Sequence, residues 1–134
     1  MKILVDSTVL LDIFTDDPVW FNWSSRAIEK YAESELLVIN PIIFAEISVH
    51  FSKMEDLEIA LPRDVYRREH IPWEAGFLAG RCFLIYKRRG GARTSPMPDF
   101  YIGAHAAISN MAVLTRDPRR FRNYFPRLNV ISPS

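Results

Sequence analysis

Residues 98–121 read PDFYIGAHAAISNMAVLTRDPRRF, a helix, a strand and two acids in one continuous run. Proline favours the first helical turn and pushes its predecessor extended, so Pro96-Met97-Pro98 predicts a helix from about Asp99. Ile102, Gly103, Ala106 and Ala107 follow at helical spacing, a stripe small enough for another element to pack closely. Met111 to Thr115 then reads as a short apolar strand of the kind buried on both faces of a parallel sheet. Asp117 falls just past its carboxyl end, and in open α/β sheets ligands bind in the crevice outside those ends.

Outward from this stretch the charge is divided. Met1 to Tyr86 holds 8 Lys or Arg against 14 Asp or Glu, whereas Lys87 to the end holds 9 against 2. Asp99 and Asp117 are those two acids. A basic surface attracts a polyanion, and acids embedded in it can hold a cation against it. At 134 residues, the expectation is one domain spanning residues 1–134, and a hydrophobic share of 49% excludes disorder. No apolar run approaches the roughly 18 residues of a membrane span, and MKILVD carries no secretory pattern. A soluble cytoplasmic protein with no membrane role is expected. Cys82 stands alone, so it reads as a small core side chain rather than half of a disulfide or thiolate site.

Toward the amino terminus, Lys2 to Val5 predicts a strand ending at Asp6, with Ser7-Thr8 capping a short helix that carries Val9, Leu10, Ile13 and Phe14. Asp6 is there either a helix cap or a residue of the crevice. Asp12, Asp16 and Asp17 read as structural or solvated, and Asp17-Pro18 opens an amphipathic helix to Ser34. Its Ala27, Ile28 and Tyr31 read as core, while an exposed Trp20 or Trp23 would suit an interface. Leu36 to Ile39 is the second strand, and Asn40-Pro41 caps a third helix, IIFAEISVHF. That helix is apolar nearly all round, yet Glu46 stands in its middle. A carboxylate there is expensive unless paired or bound to a cation, or unless it reaches water at the stripe's edge. His50, one turn on, reads as a core residue. Met54 to Ile71 suggests one or two short helices broken at Pro62 and is assigned no chemistry.

Pro72-Trp73-Glu74 opens a longer helix whose Ala75, Gly76, Ala79, Gly80 and Phe83 make another small-residue face. It ends at Gly90-Gly91 after Lys87-Arg88-Arg89, cations that either complement the helix dipole or, with Arg93 and Arg116, grip phosphates. Pro118 to Phe121 is a turn or helix start, and Leu128 to Ile131 a last strand. This order predicts an α/β fold with a mainly parallel central sheet flanked by helices.

Asp6, Glu46, Asp99 and Asp117 come from four separate segments, three of them where a parallel sheet places its ligand crevice. Four carboxylates in one cleft repel one another unless a cation neutralises them. Without partner cysteines or His-rich spacing the ligands are all oxygen, which suits Mg²⁺ or Mn²⁺ and argues against zinc. A hard cation beside a basic surface is the arrangement that phosphodiester hydrolysis requires. Ser7 and Thr115 can hydrogen-bond the carboxylates or metal-bound waters, but Thr115 as a strand residue and Ser7 as a helix cap are equally ordinary readings.

With these residues in view, the chain resembles the PIN-domain ribonucleases of the VapC toxin type. The matching stretches are VDSTVLLDI, LVINPIIFAEIS, WEAGFLAGRCFLIYKRRGG, PDFYIGAHA and LTRDPRRF, in order over nearly the whole length. The resemblance implies a PIN-like three-layer α/β domain in which Asp6, Glu46, Asp99 and Asp117 form the acidic quartet around Mg²⁺ or Mn²⁺, Asp6 and Asp99 as direct ligands. It further implies a homodimeric toxin that cleaves RNA and is held inactive by a VapB-like antitoxin. A phosphoacceptor receiver domain is a rival α/β reading, but it wants paired acids after the first strand and a late Lys; here Asp6 is followed by Ser7 and no Lys follows Lys87. The other rival is a PIN-like module that has lost catalysis and only binds RNA or a partner.

Overall fold

The computed structural model describes residues 1–133. Strand β1 (Lys2–Val5) leads into helix α1 (Ser7–Phe14), and helix α2 (Phe21–Ser34) returns to strand β2 (Leu36–Ile39). Helices α3 (Pro41–Ser48) and α4 (Met54–Ala60) precede strand β3 (Tyr66–Arg68). Helices α5 (Trp73–Arg88) and α6 (Pro98–Ile108) lead to strand β4 (Ala112–Leu114), helix α7 (Arg119–Tyr124) and strand β5 (Val130–Ile131). The sheet order is β3-β2-β1-β4-β5 with every pair parallel, and helices flank it. Chain order runs outward from β1 through β2 to β3, then restarts on the other side of β1 with β4. The crevice of such a sheet lies where that reversal occurs, between β1 and β4.

The central strands are apolar throughout because both faces are covered. Ile3, Leu4, Val5, Val113 and Leu114 have no exposed surface and pack with Val9 and Leu10 of α1, Ile43 and Ile47 of α3, and Ile102 and Ala106 of α6. A second cluster joins Ala75, Ala79 and Cys82 of α5 to Phe100 and Ala104 of α6 and to Phe125. Gly103 faces the Phe125 ring so closely that a β-carbon would overlap it, so the small stripe of α6 serves close packing; Ala107 at its end is exposed.

Several local expectations change. The helix after Asp17 begins at Phe21, because Asp17 Oδ1 accepts from the N–H groups of Val19 and Trp20 (2.9 and 2.8 Å) and holds residues 18–20 in a turn. Helix α3 stops at Ser48, and the His50 N–H donates to the Ile47 carbonyl at 3.0 Å, so His50 leaves the apolar face and is exposed rather than core. The segment after Pro62 is an edge strand, not a second helix. Three residues are too few to show a strand's alternation, and β3 forms because buried Tyr66 registers with Leu37 on β2. The most exposed tryptophan is Trp73 on α5, at 92%, whereas Trp20 and Trp23 are half-buried. Among the described residues no helix is long and apolar enough to cross a membrane.

Candidate functional site

Asp6 follows the last residue of β1, and its N–H donates to the Leu114 carbonyl at 2.9 Å, which seats it at the β1/β4 reversal. Its backbone is extended (φ −64°, ψ 147°) at the N-cap of α1, but its side chain does not cap the helix. Instead Oδ2 accepts from the hydroxyls of Thr115 (2.8 Å) and Thr8 (3.0 Å). The side chain is thus held by two hydroxyls, one from its own helix and one from the end of β4, rather than by the backbone N–H groups of α1. Thr115 also accepts the Asp117 N–H at 3.0 Å, so one hydroxyl ties the first strand's acid to the turn that carries the last.

Glu46 reaches this place from the middle of α3. Ser7 Oγ donates to its Oε1 at 2.9 Å, linking the start of the first helix to the body of the third. Asp99 stands in the first turn of α6, with Pro98 fixing that turn and Met97 buried before it. Asp117 is the most open of the four, its side chain 54% exposed.

Electrostatics binds the four into one group. Burial pushes the Asp6 carboxyl up to about 7, the charge of Asp99 and then that of Glu46 adding to the rise, against the two hydroxyl hydrogen bonds. Burial likewise raises Glu46, where Ser7 opposes and Asp99 reinforces, and raises Asp99, where Arg120 opposes and Asp117 reinforces. Asp99 is thus the hub, felt by Asp6 and Glu46 and feeling Asp117. Its counter-charge is Arg120, Nη1 to Oδ2 at 3.1 Å, and Arg119 stands 3.5 Å from Asp117. Among the described residues no cation pairs with Asp6 or Glu46.

The donor set fits a hard divalent cation. It is all oxygen, it is rich in carboxylates, and burial pushes the most enclosed of them, Asp6, up to about 7 with no positive partner beside it. The side chains as they stand do not form a ready cage, since no three acidic, His or Cys groups converge among the described residues. Mg²⁺ keeps several waters and takes only one or two carboxylates directly, so a full protein cage is not what it needs.

The cations sort themselves by position. Arg93 lines a hollow of about 280 Å³ with Glu46 and Asp99. Lys87 Nζ donates to the Gly91 carbonyl, Arg88 is exposed, and Arg89 lies over the Tyr124 ring at 4.9 Å. Arg116, grouped with them on sequence, faces inward. Its guanidinium binds Asp12 in bidentate fashion (3.1 and 3.2 Å) beneath Trp20, and Asp12, only 2% exposed, also accepts from Ser24. That guanidinium holds the Thr115-Arg116-Asp117 turn against α1. No sequence signal joins two residues 104 positions apart. Arg119 and Arg120, just past Asp117-Pro118, pair with Asp117 and Asp99, and Thr8 beside Ser7 donates to Asp6; the short spacing from Asp117 and the neighbouring hydroxyl are the sequence signals for them. A larger hollow, about 660 Å³, opens at the other end of the sheet around Met1, Asn110 and Leu128, away from the acids.

The frame is thus a parallel α/β sheet with acids lining the crevice at its reversal point. The chain belongs to the PIN domain family, which matches it over residues 3–125. No curated protein sequence matches it significantly. Its fold is similar to that in VapBC2 from Rickettsia felis bound to a promoter DNA fragment, with a TM-score of 0.74 and 16% identity, covering 98% of each chain. VapBC-1 from nontypeable Haemophilus influenzae gives the same values, and a toxin-antitoxin complex from Klebsiella pneumoniae gives 0.71 and 19%, again covering 98% of each chain.

Proposed function

We propose that the protein is a Mg²⁺- or Mn²⁺-dependent endoribonuclease, acting as one PIN unit and as the toxin of a VapBC-type pair. The observation that carries this reading is the electrostatic group itself: a buried Asp6 with no cation beside it, coupled to Asp99 and Glu46, with Asp99 coupled in turn to Asp117. The similar folds in toxin-antitoxin complexes support an antitoxin partner, and a homodimer as the working form belongs to the same proposal. Asp6 and Asp99 hold the ion, while Glu46, steadied by Ser7, and Asp117 orient water and substrate around it. The bound ion's chemistry is to acidify a water and to neutralise charge developing at phosphorus. Thr115 and Thr8 keep the Asp6 carboxylate pointed at the crevice, and Arg93 with the basic end of α5 draws the RNA backbone toward it.

Purified protein is expected to cut single-stranded RNA in Mn²⁺. Asp6→Asn and Asp99→Asn are each expected to lower the rate at least a hundredfold without unfolding the chain, since metal ligands act in the chemical step. Full activity in excess EDTA, or in either variant, refutes the metal mechanism. One observation favours a PIN-like binding module without catalysis: Arg120 and Arg119 already occupy Asp99 and Asp117. The same assay decides it, because such a module binds RNA and never shortens it.

A further inference from the structure

Beside the acids lies a cavity of about 360 Å³, within the size range of small-ligand sites, whose contents differ from those of a metal centre. Asp99 and Asp117 form one wall, and Tyr86 and Tyr124 form another. Asn123 contributes a side-chain amide, and among the described residues that amide has no hydrogen-bond partner. We infer that this cavity is a nucleotide subsite. It takes one unpaired nucleotide adjoining the scissile phosphodiester, with Asn123 reading the base, and it rests on the ribonuclease reading above.

The aromatic wall is built in advance. Tyr124 packs edge to face on Phe100 with ring centres 4.9 Å apart, and Phe100 meets Tyr86 in the same way at 6.0 Å. The Tyr86 hydroxyl accepts from the N–H groups of Ala92 and Arg93 (3.1 and 3.3 Å), and Gly91 lies so tightly on its ring that no side chain would fit. Arg89 lies over the Tyr124 ring at 4.9 Å and Phe83 stacks on Tyr86 at 6.2 Å, so the wall offers a base the ring edges and the remaining ring surface at little ordering cost. A primary amide offers a donor and an acceptor side by side, which is what the hydrogen-bonding edge of a splayed-out base presents. Arg119 and Arg120 stand at the same cavity, their side chains 87% and 46% exposed, and exposed pairs with carboxylates are weak enough to be exchanged for phosphate. A nucleotide, with an apolar ring, a polar edge and a phosphate, matches each wall in turn.

The test separates base reading from backbone gripping. Fluorescein-labelled pentamers of A, C, G and U are titrated into Asp6→Asn protein in Mn²⁺, so that RNA is held with cleavage suppressed, and again with Asn123→Ala or Arg119→Gln added. Asn123→Ala is expected to reduce the ratio between the tightest and weakest pentamer by about tenfold, the discrimination one amide-to-base contact supplies. Arg119→Gln is expected to weaken all four alike and to flatten the salt dependence. In the chain with Asp6 intact, mapped RNA 5′ ends should show Asn123→Ala relaxing base preference at one position beside the cut. An unchanged affinity ratio with Asn123→Ala overturns the inference, as does a loss confined to binding of a partner protein. If the wild-type chain fails to cut RNA while the pentamer ratio still collapses, the nuclease reading has failed and the subsite stands.

Discussion

Asp6 is the residue on which the site's energetics turn. Its folded-state value of about 7 lies above the 3.8 of an ordinary Asp, so the neutral carboxyl contributes stability that is complete below about pH 4 and is lost as pH rises through about 7. Glu46 and Asp99, raised first of all by burial, act with the same sign. An amide at position 6 keeps an oxygen for the hydroxyls of Thr115 and Thr8 and removes the charge. Without added metal, Asp6→Asn is therefore expected to melt above the wild type at pH 8, by on the order of a few kcal/mol, with the gap closing toward pH 5. His105, held low by burial, has the opposite dependence but is common to both proteins, so it drops out of the comparison. Parallel melting curves across that pH range would mean that Asp6 is not the strained acid. Its sequence position at a strand's end was legible; the choice between helix cap and crevice was not, because the Thr115 hydroxyl that draws it away comes from 109 residues further on.

Helix α6 shows how an element carries an acid into place. Its small face was readable from Ile102 to Ala106, yet the partner was not, since Phe125 belongs to a different segment. Gly103→Ala places a methyl group into the Phe125 ring, and overpacking of this kind costs roughly 1–3 kcal/mol. The expected result is a lower urea midpoint together with weaker Mn²⁺ binding, because the displaced helix begins at Asp99. Retained midpoint and retained Mn²⁺ affinity would show that the ring yields without moving the helix. Strand β3 makes the complementary point. Arg68 binds Glu58 of α4 through both guanidinium nitrogens (3.1 and 2.9 Å) and lies over Phe44 at 5.0 Å, contacts that seat the edge strand and that no local pattern announces.

At the scale of the whole molecule the acidic and basic parts of the chain meet at one crevice. Asp6 and Glu46 come from the acidic part, Asp99 and Asp117 from the basic one, and each pair is incomplete without the other. A cation that binds there binds the folded state only, so Mn²⁺ is expected to raise the melting temperature, by the equivalent of about 2.7 kcal/mol at a hundred times its Kd. Asp99→Asn, which removes the hub, should abolish most of the shift. An equal shift in both proteins would place the ion elsewhere.

The linear order of residues determined what is local: the apolar runs of β1, β2 and β4, the proline that starts α6, the cap at Asn40, three acids at or near element ends and a fourth, Glu46, within an apolar helix. Those features depend on neighbours within a turn or a strand, so they are written in short windows of sequence. Tertiary structure alone decided which side chains face each other. It turned Arg116 inward onto Asp12, put Arg120 on Asp99, made a strand of Tyr66–Arg68, and opened a cavity between Asn123 and Tyr86. Each of those depends on distances between segments far apart in the chain, and such distances are set by the packing of the sheet and its helices rather than by any local pattern.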